Sequence, residues 1–99
     1  MLPKDRRKLA RHLIAEAIAD ITKYMIDLRV AGDRWWQLTT WLMVRACIAE
    51  ANRLWACPES ARVIDILDKI IDALAEGRER CAWELVFDLP TSIELPESE

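Results

Sequence analysis

The stretch RWWQLTTWLMVRACIAEANRLWA, residues 34–56, decides the fold. Wound at about 3.6 residues per turn, it puts Trp36, Val44, Cys47, Ile48, Ala51, Leu54 and Trp55 on one face. Trp35, Leu38, Leu42, Ala46 and Ala49 fall on a second face, and Trp41 and Met43 lie between the two. From 35 to 49 only Gln37 and Arg45 are strongly polar, with Thr39 and Thr40 mildly so. A helix that is apolar on so many sides is a buried helix. One neighbour covers one stripe, so this helix needs at least two packing partners. Asp33 suits its N-cap, because the carboxylate accepts from an unpaired backbone N–H. Pro58 ends it by disfavouring helical geometry at Cys57.

Upstream, the pattern predicts a helix from Pro3 to about Ala31. Proline fits a first helical turn, where its missing N–H is no loss, and Gly32 is a natural stop. Ile14, Ile18, Ile21, Met25 and Leu28 recur at spacings of three and four, and Leu13, Ala17 and Tyr24 widen that face. A weaker stripe runs through Ala15, Ala19, Thr22 and Ile26, and a single-faced helix does not explain Ile26.

Downstream, a third helix runs from Pro58 to about Glu76. Val63, Ile66, Leu67, Ile70, Ile71 and Leu74 form its core face, and Asp65, Asp68, Asp72 and Glu79 lie opposite. Gly77 stops or dents it. Cys81, Ala82 and Leu85 stay in phase, so a dented or restarted helix is expected to about Phe87. Trp83, Leu85, Phe87 and Leu89 also alternate with Glu84, Val86 and Asp88, and period two is the strand signal. A hairpin with Ile93-Glu94-Leu95 would be marginal alone, so helix is favoured. The segment from Pro90 is acidic and proline-bounded, and a mobile tail is expected. The fold class that follows is all-α: a small antiparallel bundle of three to four helices over residues 1–87, with a central hydrophobic helix and an acidic tail over 88–99.

Composition agrees. Ninety-nine residues bound one domain with a modest core. A hydrophobic fraction of 53% and a charged fraction of 31% coexist only if the two classes occupy opposite faces. Neither Asn-Gly nor Asp-Gly, the hairpin pairs, occurs. No apolar run reaches the roughly 18 residues of a membrane span, because Arg45 interrupts the longest. His12 and Glu16 break the stretch after Lys4, Arg6, Arg7 and Lys8, so no signal peptide is expected. Cys47, Cys57 and Cys81 have no metal-like spacing. Thiols without a secretory signal fit a reducing cytoplasm.

The candidate sites are few. Lys4, Arg6, Arg7, Lys8 and Arg11 against Asp5 make a basic segment able to contact phosphate, an anionic partner or the chain's own acidic tail. No aromatic stacking platform accompanies it. Asp65, Asp68 and Asp72 share a helix face and could dock a basic partner; Lys69 and Arg62 are near enough to pair with some of them. Acid–base work would need burial to split their pKa values. Cys57, before Pro58 at a helix start, could have its thiolate favoured by the helix dipole. The chain's one histidine, His12, is far from it in sequence and is expected to be exposed. No catalytic set, metal site or cofactor is expected, and two distant glycines exclude phosphate-cradling loops.

Five tryptophans are many for this length, and tryptophan is enriched in interfaces as well as cores. Trp35 and Trp41 point roughly 120° apart, so they cannot share a neighbour. Trp35, Leu38, Trp41, Leu42 and Ile26 are therefore the candidate interface residues. The function expected is that of a non-enzymatic protein–protein interaction module: a small regulator, an assembly subunit or an inhibitor. A homodimer is the simplest cover for its surplus apolar stripes. The alternatives are a nucleic-acid-associated accessory protein using Lys4 to Arg11, and an inhibitor of a larger complex of the kind phages and plasmids encode, the latter by analogy alone. Ile93-Glu94-Leu95 is a possible short linear motif.

Overall fold

A computed structural model describes residues 2–31 and 38–97, with side chains described up to Lys23 and again from Leu38. Its helices are α1 (Pro3–Ala31), α2 (Leu38–Leu54), α3 (Pro58–Ala75) and α4 (Glu79–Val86). Among the described residues there is no strand, and residues 83–86, where the strand reading competed, are helical. The chain is a small all-α helical bundle. The expectations for Trp35, Trp36 and Asp33, and for the side chain of Ile26, lie outside the described residues.

Each helix packs on its neighbour in sequence: α1 on α2, α2 on α3, and α3 on α4. Among the described residues the backbones of α1 and α3 do not approach one another, and α2 lies between them. The Cys47 thiol donates to the Leu13 carbonyl at 3.1 Å, and the Arg6 guanidinium lies 6.0 Å over the Trp55 ring. Rising positions on α1 thus meet falling positions on α2, an antiparallel pair. At about 1.5 Å per residue the 29-residue α1 accounts for the longest dimension, 43 Å.

Periodicity decides what is buried. On α1 the inward positions are Ala10, Ile14, Ala17 and Ile21, with Leu13 and Ile18 packed partly against them. On α2 they are Trp41, Val44, Ile48, Ala51 and Leu54, spaced three and four apart. On α3 they are Val63, Ile66, Leu67, Ile70 and Ala73, while Ile71 and Leu74 are half-buried. Fully burying an aliphatic side chain of this size is worth about 1.5–3 kcal/mol, so these three rows carry the core.

The turn after α3 is a Schellman motif. The Arg78 N–H donates to the Ala73 carbonyl at 2.7 Å and the Gly77 N–H to the Leu74 carbonyl at 3.1 Å. That pair of bonds places one residue in left-handed geometry, and Gly77 takes it at φ 77°. A Cβ there would meet nothing within 4 Å, so the backbone alone asks for glycine. Gly77 therefore stops the helix. The restart shifts the phase, and Ala82 and Val86 become the buried residues of α4, leaving Cys81 and Leu85 half-buried.

The tail carries apolar side chains that pack on the bundle. Leu89 and Leu95 belong to the core cluster, and Ile93 packs partly against it. Residues 89–96 return as a strap to α1 and to the α2–α3 junction. The strap holds because an otherwise acidic segment carries three apolar side chains, and because side-chain donors of the bundle take its carbonyls.

Candidate functional site

The flanks of α2 are occupied by α1 and α3, and the strap closes on Trp55 just past its C-terminal end. What remains is its outward face, where Leu38, Leu42 and Ala46 follow one another at intervals of four. Leu42 is 44% exposed and Leu38 slightly less so, and Met43 beside them is 73% exposed. Ala49 at the far end is half-buried. The described part of the second stripe, from Leu38 to Ala46, thus faces solvent in the single chain as an apolar row on the helix.

Trp41 does not share that surface. It is 0% exposed, in phase with Val44, Ile48 and Ala51, so the reading of it as an interface residue is corrected to core. Trp41 and Met43 both sat between the two stripes, and the structure turns one inward and the other outward. Met43 is the residue that the candidate interface lacked. Of the other candidates, Leu38 and Leu42 come together on one face, while Trp35 and Ile26 lie outside the described side chains.

The basic segment divides in two. Lys4, Lys8 and Arg11 are exposed, whereas Arg6 and Arg7 are half-buried. Arg6 lies over the Trp55 ring, a cation–π arrangement. Arg7 donates through Nη2 to the Leu95 carbonyl and through Nε to the Pro96 carbonyl, each at 3.0 Å. The segment therefore meets the chain's own tail, through that tail's carbonyls.

The acidic face is also divided. Asp65 and Asp72 are exposed, but Asp68 takes the guanidinium of Arg45 on α2 through hydrogen bonds from Nε and Nη2. The same contact explains why an arginine interrupts the most apolar helix: it reaches sideways to α3. The hydrogen bond to Asp68 raises the Arg45 pKa above its ordinary value, against some burial. Arg62, a possible partner for this face, pairs with Glu59 instead and holds that carboxylate below its usual range.

Cys57 caps α3 in extended geometry, with Pro58 behind it, and is buried. Its N–H donates to Oδ1 of Asn52 at 3.0 Å. His12 is exposed and lies 3.2 Å from Glu16 one turn on. Cys47 faces α1 half-buried, and its thiol titrates above the ordinary range, chiefly from burial and then from Glu16 and Asp20. Among the described residues no three His, Cys, Asp or Glu side chains are grouped to hold a metal, and no helix is long and apolar enough to cross a membrane. A further apolar surface lies at the end of α4, where Trp83 and the exposed C-cap residue Phe87 meet edge to face at 4.6 Å.

Set against protein-family models, curated proteins and solved structures, the chain matches none of them.

Proposed function

We propose that this chain is a non-enzymatic protein–protein interaction module that works through the outward face of α2, and that it pairs with a second copy of itself there. The observation that carries this reading is the row Leu38, Leu42, Met43 and Ala46, left exposed on a helix whose other sides are occupied. The reading rests on apolar side chains grouped on one exposed helix face, a patch smaller than those that mark interaction sites by size alone, and a two-fold pair is the commonest closed assembly.

The size of the face limits how tight such a pair is. The stretch from Leu38 to Ala46, at about 1.5 Å per residue and roughly 10 Å of width, gives on the order of 130 Å² per copy. A stable interface buries about 800 Å² per partner. The pair is therefore concentration-dependent, and the same face suits a small regulator, an assembly subunit or an inhibitor that joins a larger partner. Nucleic-acid contact is the less supported reading, because Arg6 and Arg7 are engaged within the chain.

Sedimentation from micromolar to submillimolar concentration tests this. The wild-type mass should climb toward twice that of the chain. Leu42→Glu should stay monomeric with stability within about 0.5 kcal/mol of wild type, the usual range for a surface change. A wild-type chain that stays monomeric throughout, or a Leu42→Glu variant that still pairs, contradicts the reading.

A further inference from the structure

The strap is held by its backbone. Three successive carbonyls, of Glu94, Leu95 and Pro96, face donors from separate parts of the bundle. The Cys57 thiol lies 3.8 Å from the Glu94 carbonyl, a weak contact. Arg7 reaches the Leu95 and Pro96 carbonyls at 3.0 Å each. The indole N–H of Trp55 donates to the Pro96 carbonyl as well, at 2.8 Å.

The side chains add a pattern. Ile93 is half-buried, Glu94 exposed, Leu95 buried and Pro96 exposed. That is the alternation of an extended chain, whose successive side chains point to opposite sides. Glu94 and Glu97 line the same shallow hollow as Arg7 and Arg11, so opposite charges frame the seat. Beside it, a groove of about 420 Å³ runs between α1 at Ile14 and Ile18 and the strap at Thr91 to Ile93. These contacts read carbonyls and two apolar anchors, and none of them requires the seated segment to belong to the same chain.

We propose that the seat formed by Arg7, Trp55 and the Cys57 junction is a binding groove for an extended peptide of apolar–acidic–apolar–proline pattern. Residues 93–96 are its resident occupant, displaced by a partner protein that carries a segment of the same chemistry. The proposal is independent of the outward face of α2, on which neither Arg7 nor Trp55 lies.

A resident occupant on a short linker competes at an effective concentration of order millimolar. The intact chain therefore binds an outside peptide weakly, and weakening the tail uncovers the site. The probe is a fluorescein-labelled peptide of residues 91–97, followed by anisotropy. Two full-length variants release the tail: Leu95→Asp, and a long Gly-Ser insertion between Pro90 and Thr91 that leaves both anchors and groove intact. Each should bind the peptide about tenfold or more tighter than wild type, since a longer linker dilutes the resident segment. Arg7→Met in the insertion variant, which keeps the stem and removes the donors, should undo the gain. A peptide with serine at both apolar anchors should not bind.

The proposal is overturned if the insertion variant shows no gain, or if the gain survives Arg7→Met. It is also overturned in favour of tail exchange between two copies if Arg7→Met alone abolishes wild-type self-association. Should Leu95→Asp fail to fold, the insertion variant decides the matter.

Discussion

Leu95→Ala asks directly whether the acidic tail belongs to the core. Leu95 is 7% exposed, and its carbonyl accepts from Arg7. The substitution removes three carbons at about 0.8 kcal/mol each, or roughly 2.4 kcal/mol of lost burial. A cavity adds to that, but less here than in a deep core, because a strap settles more easily than a helix. The expected loss is about 2–3 kcal/mol. In a domain of this length each kcal/mol moves Tm by about 4–8 °C, so the midpoint should fall by roughly 10–20 °C. Far-UV circular dichroism during thermal and urea unfolding reads this. The control is Leu2→Ala, at a leucine that is 63% exposed, with an expected change within about 0.5 kcal/mol. If Leu95→Ala is as silent as the control, the tail is not seated and the mobility expected from its composition is the better description.

The Arg45–Asp68 contact joins α2 to α3 with side chains 38% and 46% exposed, so solvent screens it. A double-mutant cycle with Arg45→Met and Asp68→Asn should give a coupling of about 0.2–1 kcal/mol that shrinks with salt, and zero coupling at low salt would refute a stabilising role for the pair. Ser60 is fully buried, and its hydroxyl has no hydrogen-bond partner among the described residues. Ser60→Ala should therefore leave stability unchanged or raise it by up to about 1 kcal/mol, whereas a clear loss in urea unfolding would reveal a partner. The folded chain keeps the Cys47 proton to higher pH than the unfolded chain does. That contribution to stability is fully present below the unfolded thiol pKa and is lost as pH rises through the folded value. Alkylation of Cys47 in a Cys57→Ala, Cys81→Ser background should have its midpoint above the ordinary thiol range, and a midpoint at or below that range would contradict the burial assigned to it.

The parts of the fold that were legible in sequence are those set by local chemistry. Pro3 and Pro58 open α1 and α3 because proline fits a first helical turn, and the row from Val63 to Ile70 is buried because its spacing leaves no other face. Leu38 and Leu42 were legible as surplus apolar surface for the same reason. Trp41 and Met43 were not separable, since both lie at the margin between two stripes. The lateral positions of α1 and α3 decide which turns inward, and periodicity within α2 does not contain those positions. The strap was hidden more deeply. Its donors, Arg7 and Trp55, are 88 or 89 and 41 residues away from the carbonyls they take. Carbonyls carry no sequence signature, while the acids and prolines around them argue for disorder. The one local signal was the alternation of Ile93, Glu94 and Leu95.

The strap also follows from the way the helices are arranged. Because the backbones of α1 and α3 lie on α2 without approaching one another, Trp55 at the end of α2 has no helix of its own to cover it. Burying a large apolar side chain contributes about 1.5–3 kcal/mol, and a domain of this size has only about 5–15 kcal/mol in total, so an open trough there is not affordable. α4 is eight residues long and packs on α3 alone, which leaves the segment after it to cover the gap. An extended segment has unpaired backbone groups, and burying them costs free energy unless they find partners. Arg7 and Trp55 supply those partners from the bundle itself. A roof bound through carbonyls and two alternating anchors is structural, and under the proposed displacement it is exchangeable as well. Any partner that displaces it has to replace the burial of Leu95 as well as its hydrogen bonds. That requirement excludes purely charged peptides and leaves segments with apolar residues two apart.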